Sequence, residues 1–388
     1  MRRARTKAQE EALMGLTSKK VLLLAIVVAV VLFVGTVWLW PRLSRRNWRA
    51  VSGRVGLLLV TQVTLFACVG LAANRSFGFY ASWADLFGQE TGQGVVVDHN
   101  AHGPDGGPLQ VLDTRKVSKT GGGRPEIGGQ IQKIAVTGTT THIATPAYVY
   151  LPPEYFQAQY RTRTFPAAVV LTGYPGTAEA LVDKLHYPRT ARDLAKQGRM
   201  QPMILVMMRP TVAPPRDTEC VDVPGGPQTE TFFAKDLPEA VSGHYRVNRA
   251  PGSWGVIGDS TGGYCALKFA LHHPSVYAAA VGLSAYYKAP VDPTTGDLFH
   301  DDKQLRNRAD LMWFLKHTPA PDTSLLVTSS KVGENNYKST LKFIDAVKAN
   351  GRTRVSSIIL DSGGHNFNTW RREIPESLSW LSGRLTAG

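Results

Sequence analysis

The sequence is poor in cysteine, with three among 388 residues. Small secreted proteins that depend on a disulfide scaffold carry many more, and a chain of this length can bury a core without one. Cys68 lies in a long apolar run, which leaves Cys220 and Cys265 as the pair able to form a disulfide. A buried free thiol at Cys265 fits the sequence equally well, so the state of this pair stays open.

Acidic residues are scarce at the N-terminus. Residues 1–80 hold 12 Lys and Arg but 2 Asp and Glu and contribute +10 to the net charge of +14, whereas residues 81–388 hold 32 and 28 and contribute +4. The large C-terminal part also lacks a basic stripe interleaved with aromatic residues, and the chain shows no internal repeat. No nucleic-acid partner is therefore expected, and the basic N-terminus is typical of membrane flanks.

Two long hydrophobic runs precede residue 74. Residues 21–40 and 55–73 are uncharged over 20 and 19 positions, enough to cross about 30 Å of hydrocarbon as helices. The loop between them, residues 41–54, carries five arginines. The positive-inside rule places this loop in the cytoplasm and the C-terminal part outside. We therefore predict a two-pass membrane protein that contacts lipid through residues 21–73.

Two features leave this topology partly open. The basic tail, residues 1–20, also favours the cytoplasm, so it is either cytosolic or exterior; translation from Met14 would remove most of its charge. In an alternative interpretation, residues 55–73 form a signal-peptide core with Leu71–Ala73 as the cleavage site. Both alternatives export the large C-terminal domain.

The segment before residue 129 is predicted to be a linker. Residues 74–128 include Gly-rich polar sequence that cannot bury much apolar area. From Gln130 onward, short Val/Ile/Leu-rich runs alternate with helical patterns. We predict an antiparallel strand pair, then strands at Phe165–Thr172, Pro202–Met208, Ser253–Ile257, Ala278–Ser284, Ser324–Ser329 and Val355–Leu360. This alternation predicts an α/β domain over residues 129–388, with a mostly parallel sheet flanked by helices.

The most informative motif is G-x-S-x-G, formed by Gly258, Ser260 and Gly262. It stands between an apolar run and a helical pattern, as the nucleophile elbow of an α/β-hydrolase does. The sequence Gly258–Gly263 also matches the nucleophile loop of trypsin-like proteases. Those enzymes place His and Asp before the serine, whereas in this chain the suitable acid and histidine follow it, which excludes that class.

A serine nucleophile needs a base and an acid that orients the base. His365 follows the last predicted strand in a Gly-rich loop, where it can approach Ser260, and is the predicted base. Glu334 follows the preceding strand and is the predicted acid. Asp361 is the rival, but it shares the loop of His365. A structural role for Glu334, as a carboxylate near a helix N-terminus, is the alternative.

An oxyanion hole requires two backbone N–H groups aimed at the developing charge. Thr261, directly after Ser260, is predicted to supply one. The loop Gly173–Thr177 is predicted to supply the other through Tyr174, because Pro175 has no N–H; Gly176 is the alternative donor. An ordinary Gly/Pro turn at this place would leave the hole incomplete.

Beyond these residues, the chain resembles the esterase family that includes esterase D and the antigen 85 mycolyltransferases. The likeness covers about residues 130–385. It rests on Val149–Tyr155, Leu171–Gly176, Gly258–Gly263 with Ala266 and His273–Pro274, and Gly363–Trp370 with Leu378 and Trp380. It implies an α/β-hydrolase fold with a triad at Ser260, Glu334 and His365. Leu283-Ser-Ala-Tyr286 departs from the Ser-Gly usual in the family, and the trehalose-binding residues have no counterpart.

These observations predict a membrane-anchored, extracytoplasmic serine esterase acting on ester or acyl-lipid substrates. Acyl transfer to a cell-envelope glycan and a non-catalytic envelope-binding module are the alternatives. No metal or organic cofactor is implied. The polar insertion Met208–Phe232 is interpreted as a solvated loop or, alternatively, as the rim of an acceptor site.

Overall fold

The computed structural model describes residues 19–44, 47–77, 107–117, 124–214 and 216–387. The chain divides into two compact units, Met1–Glu90 and Thr91–Gly388.

The first unit contains two long helices, α1 (Lys19–Leu39) and α2 (Trp48–Phe77). The apolar stretches Lys20–Leu39 and Trp48–Asn74 have mean hydropathies of 3.0 and 2.2, and their side chains are mostly exposed. Both helices are therefore long and apolar enough to cross a membrane, judged by length and composition.

The predicted boundaries of the Arg-rich loop need one correction. Helix α2 begins at Trp48, so Arg49 and Arg54 lie on its first turns and not in the loop 41–54. Arginine has a high helix propensity, so a helix can extend beyond the apolar run at its centre.

The two helices also contact each other through polar side chains. Thr36 of α1 and Thr61 of α2 share a hydrogen bond of 3.0 Å.

The second unit is built on a nine-stranded sheet in the order β1-β2-β3-β5-β4-β6-β7-β8-β9. The first four strands of this order pair antiparallel, and the remaining neighbours pair parallel. The strands are β1 Leu109–Lys116, β2 Gln130–Thr137, β3 Ala144–Leu151, β4 Ala167–Leu171, β5 Ile204–Met208, β6 Trp254–Asp259, β7 Ala279–Leu283, β8 Ser324–Val332 and β9 Arg354–Ser362.

Helices cover both faces of this sheet. Successive strand residues point to opposite faces; Val169 of β4 joins the core on one side and Val170 the core on the other. The helices are α3 Ala178–Asp183, α4 Tyr187–Lys196, α5 Leu237–His244, α6 Thr261–His272, α7 Lys303–Arg308, α8 Leu311–His317, α9 Tyr337–Asn350 and α10 Phe367–Ser382. Helices α3, α4 and α10 pack on one face, and α5, α6, α8 and α9 pack on the other. The predicted α/β-hydrolase architecture is confirmed.

Shorter helical segments connect these elements. They are Pro125–Gly128, Pro153–Phe156, Ala158–Tyr160, Thr229–Thr231, Phe232–Asp236 and Pro251–Ser253.

The prediction of a linker over residues 74–128 is wrong for β1. Leu109–Lys116 pairs antiparallel with β2 and forms the edge of the sheet. Leu109 is the one buried side chain among those that the structure describes in this strand, so the strand is held mainly by backbone hydrogen bonds. An edge strand of this kind has no apolar alternation for sequence analysis to detect.

The insertion Met208–Phe232 also differs from expectation, because it is not a solvated loop. Thr218, Cys220 and Val221 are fully buried. Cys220 forms a disulfide with Cys265 on α6, which settles the alternative that the sequence left open. The cross-link fastens the insertion to the helix that follows the G-x-S-x-G motif.

Candidate active site

The site lies where the strand order reverses. Strand β4 is paired with β5 on one side and with β6 on the other, so the loops after β4 and β6 meet at a crevice above the carboxyl ends of the strands. Such a switch point is the usual ligand site of open α/β sheets.

Ser260 occupies a sharp turn between β6 and α6. Its backbone has φ 52° and ψ −119°, a positive-φ conformation that is strained for a residue with a side chain. The turn is too tight for neighbouring side chains: a Cβ on Gly258 would lie 2.4 Å from the Gly262 carbonyl carbon, and one on Gly262 would lie 2.4 Å from the Leu171 oxygen. Both glycines of the motif are therefore required by contact with backbone.

His365 reaches this serine from the loop after β9. Its Nε2 lies 2.8 Å from Ser260 Oγ. The ring packs edge-on against Trp370 at 5.2 Å between centroids. The next residue, Asn366, begins α10 by accepting hydrogen bonds from the backbone N–H groups of Asn368 and Thr369. The contact with Trp370 and the helix cap at Asn366 therefore hold the loop that carries the half-exposed imidazole.

Glu334 stands on the far side of the imidazole, in the loop after β8. Its Oε2 lies 3.8 Å from His365 Nδ1, an ion-pair distance that is longer than a hydrogen bond. Such contacts are often long in unliganded sites. The Glu334 side chain is 1% exposed, so its position is set by the surrounding protein.

Sequence reasoning missed the residues that hold Glu334. Ser284 donates its hydroxyl to Glu334 Oε1 at 2.8 Å and accepts the Trp370 indole N–H at 2.8 Å. The Ser284 backbone N–H donates to Thr328 Oγ1 at 3.1 Å. Ser284 has φ 48°. The only signal in the sequence was that Ser284 stands where the resembled family has its Ser-Gly pair.

The rival acid, Asp361, has a different environment. Its side chain is 92% exposed and pairs with Lys331 at 2.8 Å. This ion pair lowers the pKa of the Asp361 carboxyl through the hydrogen bond and charge of Lys331. The geometry therefore favours Glu334 over Asp361 as the partner of His365.

One predicted oxyanion donor directly follows Ser260, and the other lies in the loop after β4. Thr261 is the first residue of α6, a position whose backbone N–H has no partner within its own helix. Tyr174 lies in the loop after β4, joined to Pro175 by a cis peptide bond. The alternative donor, Gly176, gives its N–H to the Gly173 carbonyl at 2.8 Å, which counts against Gly176 as an oxyanion donor.

Asp259, the residue before Ser260, was also not predicted from the sequence. It is 2% exposed, and its Oδ2 accepts the Gly173 N–H at 2.9 Å. Burial raises the pKa of its carboxyl to about 7, against the opposing effects of the Gly173 hydrogen bond and of His365.

A cavity of about 610 Å³ opens beside Tyr174. Arg216 is fixed at its wall, because Nε and Nη2 donate to the Thr295 and Asp297 carbonyls at 2.7 and 2.5 Å. The lining residues are Tyr174, Arg216, Pro293, Thr294, Thr295, Gly296, Asp297 and His300. Within the described residues, no group of three or more His, Cys, Asp or Glu is placed to hold a metal ion.

Comparison with solved structures shows which proteins share this fold. A ferulic acid esterase superposes with a TM-score of 0.57 at 17% identity, covering 66% of this chain and 98% of that one. An S-formylglutathione hydrolase from Agrobacterium tumefaciens gives 0.55 at 16% identity, with 71% and 100% covered. Fluorophosphonate-binding serine hydrolase F of Staphylococcus aureus gives 0.53 at 17% identity, with 66% and 98% covered.

Sequence comparison supplies the family. An uncharacterized protein of Corynebacterium glutamicum is 24% identical over an alignment of 273 residues, with 67% of this chain and 63% of that relative's length covered. The chain thus spans less than two thirds of that relative. The model of the family described as "Putative esterase" matches residues 139–381, more than half of the chain. The protein therefore belongs to this esterase family.

Proposed function

We propose that this protein is a serine esterase with Ser260 as its nucleophile. His365 Nε2 accepts the Ser260 hydroxyl proton while Oγ attacks the ester carbonyl carbon, and Glu334 stabilises the imidazolium that forms. The Tyr174 and Thr261 N–H groups stabilise the tetrahedral oxyanion. On collapse of this intermediate the C–O bond breaks, and His365 returns the proton to the departing alcohol.

The second half of the reaction frees the enzyme. His365 takes a proton from water, whose oxygen attacks the acyl-Ser260 carbonyl. The new tetrahedral intermediate expels Ser260 Oγ, which regains its proton from His365, and the carboxylic acid leaves. Every proton is carried by His365, so the cycle needs no other acid or base.

The observation that carries the proposal is the 2.8 Å contact between His365 Nε2 and Ser260 Oγ on the strained elbow. It is tested with p-nitrophenyl acetate, butyrate and octanoate and the purified full chain in detergent. We expect turnover that Ser260→Ala and His365→Ala each lower by about 10⁴–10⁶-fold, because members of a triad act as a unit.

A matched control separates catalysis from folding. His317→Ala removes a histidine on α8 that stacks on Trp313 and should leave turnover within about 3-fold. If the wild type turns over no ester, or if Ser260→Ala keeps its activity, the esterase proposal fails and the envelope-binding module becomes the better account.

Transfer of the acyl group to a cell-envelope glycan is the second candidate. The cavity beside Tyr174 favours it, because its wall offers His300 and the remaining nitrogen of the fixed Arg216 guanidinium to a hydroxyl-rich acceptor. Transfer requires that the acceptor be positioned so that it outcompetes water. Mass analysis of the products, with and without excess sugar, tests it: acylated sugar in excess of free acid supports transferase activity, and free acid alone supports hydrolysis.

We propose further that the esterase unit is extracytoplasmic and anchored by α1 and α2. The arginines at positions 42–54 favour a cytoplasmic connection between the spans. The Cys220–Cys265 disulfide is an independent argument, because disulfides persist in oxidising compartments and are rare in the cytosol.

A further inference from the structure

Asp259 connects the nucleophile strand to the oxyanion loop. It is the last residue of β6, directly before Ser260. Its Oδ2 accepts the N–H of Gly173 at 2.9 Å, and Gly173 directly precedes Tyr174. The carboxyl thus holds one peptide of the loop whose next N–H is the predicted oxyanion donor.

The loop has little freedom at this contact. A Cβ placed on Gly173 would lie 2.9 Å from Ser260 Cβ and 3.2 Å from Asp259 Oδ2. The backbone of the loop therefore rests against the elbow itself. Loss of the hydrogen bond would release the Thr172–Gly173 peptide and so shift the next peptide, which carries the Tyr174 N–H. That next peptide is also held at its Gly173 carbonyl, by Thr172 Oγ1 at 2.7 Å and by the Gly176 N–H at 2.8 Å.

Stability of the fold does not explain why Asp259 is buried. Its second oxygen, Oδ1, is buried without a hydrogen-bond partner among the described residues, and so is the hydroxyl of Tyr187, whose raised pKa reflects burial first and then the charge of Asp259. A buried carboxyl with an unpaired oxygen costs free energy relative to an apolar side chain of similar size. Its placement is better explained by the geometry of the site.

We propose that Asp259 is a positioning residue, which fixes the Gly173 peptide and thereby aims the Tyr174 N–H at the oxyanion. This inference rests on the proposed esterase function. It predicts that the acceptor atom at residue 259 matters, and that the negative charge does not.

The test compares Asp259→Asn, which keeps an acceptor oxygen, with Asp259→Leu, which has a similar shape and none. With p-nitrophenyl butyrate we expect Asn to hold kcat within about 3-fold. Leu should lower kcat by about 10–100-fold with KM within about 2-fold, somewhat less than loss of a whole oxyanion donor. The affinity of a trifluoromethyl ketone, whose adduct with Ser260 carries the oxyanion, should fall in parallel with kcat.

Thermal melting shows whether a loss of activity reflects unfolding. We expect the Leu variant to melt within about 3 °C of the wild type; if it does not fold, Asp259→Ala takes its place with the same expected kcat. If the wild type is active and the kcat of the Leu or Ala variant lies within 3-fold of it, the inference about Asp259 is overturned. The same holds if the Asn variant loses as much kcat as the Leu variant. A wild type inert to both ester and ketone instead overturns the esterase proposal on which it rests.

Discussion

Two carboxylates lie at the ends of neighbouring strands, Glu334 after β8 and Asp361 within the last residues of β9, and their surroundings differ. Glu334 is almost fully buried, receives the Ser284 hydroxyl and faces His365 Nδ1. Asp361 is in solvent with Lys331. A carboxylate held by buried donors can keep an imidazole in one orientation, whereas a solvated one cannot.

This difference predicts opposite results when one carboxylate oxygen of each side chain is replaced by an amide nitrogen. Glu334→Gln should lower kcat by about 10³–10⁴-fold. The change removes the charge that stabilises the imidazolium, and an amide that donates to Nδ1 favours the tautomer of His365 whose Nε2 is already protonated. Asp361→Asn, the matched control, should stay within about 3-fold. Steady-state kinetics on one ester measures both, and a larger loss in the Asp361 variant would mean that the acid is misassigned.

Another buried carboxylic acid, Glu373, lies close enough to Glu334 to be affected by its charge. It is fully buried on α10, accepts the Thr328 hydroxyl at 2.8 Å and leaves Oε1 without a partner among the described residues. Burial raises the pKa of Glu373 from 4.5 to about 8, with a further contribution from the charge of Glu334. A pKa of about 8 favours the neutral form of Glu373 at pH 7, which reduces the negative charge beside Glu334.

The raised pKa makes stability depend on pH in a defined direction. Between about pH 4.5 and 8 the folded chain holds this proton and the unfolded chain releases it, so the stabilising contribution is lost as pH rises through 8. Glu373→Gln should melt like the wild type at pH 5 and at least about 2 °C higher at pH 9, since about 1 kcal/mol moves Tm by roughly 2–4 °C. Calorimetry should find no such trend for Glu376→Gln, an exposed change on the same helix. If Glu373→Gln melts below the wild type at pH 9, the assignment of a neutral Glu373 is refuted.

The residues differ in how visible they are to sequence analysis. Ser260, His365 and Glu334 each follow a strand in a fixed chain order, so motif and order were enough to bring them together. Ser284, Trp370 and Asp259 act through contacts between segments far apart in sequence. Their types, serine, tryptophan and aspartate, carry no local signature of that role.

At the scale of elements, the turn between β6 and α6 depends on close backbone contacts. Gly262 leaves no room for a Cβ between α6 and the end of β4, where the oxygens of Leu171 and Thr172 would lie at 2.4 and 2.6 Å. Both atoms belong to backbone and cannot rotate away as a side chain would.

Gly262→Ala should therefore displace the elbow from β4. We expect kcat to fall by at least about 10²-fold, because an error of about 1 Å in positioning costs that much. Gly243→Ala on α5 is the control: a Cβ there meets nothing within 4 Å, and alanine is the better helix former. Wild-type kinetics in Gly262→Ala would show that the tight turn is not needed.

The strands were easier to predict than the connections. The buried strands β4 to β8 appear as short apolar runs because both faces of the sheet are covered. Strand β1 was missed because, of its described side chains, Leu109 alone is buried. The insertion after β5 was misjudged because its buried polar residues have partners within the fold. Glu219 accepts the Tyr286 hydroxyl at 2.6 Å, and the Thr218 and Thr229 hydroxyls share a hydrogen bond of 2.9 Å.

At the scale of the whole molecule, the chain joins a pair of apolar helices to an esterase unit with a disulfide. A membrane-impermeant biotinylated fluorophosphonate tests the proposed side of the membrane. In intact cells we expect it to label the protein as fully as it does after lysis, because the site faces outward. Ser260→Ala provides the background, and labelling seen only after lysis would place the esterase unit in the cytoplasm.

The proposed mechanism requires that Ser260 form a covalent acyl-enzyme. Purified protein mixed with p-nitrophenyl butyrate and quenched with acid within milliseconds should gain the mass of one butyryl group, mapped by peptide analysis to Ser260. The label should decay in the wild type and be absent from Ser260→Ala. Turnover by the wild type without an adduct, or an adduct on another residue, would contradict the proposed mechanism.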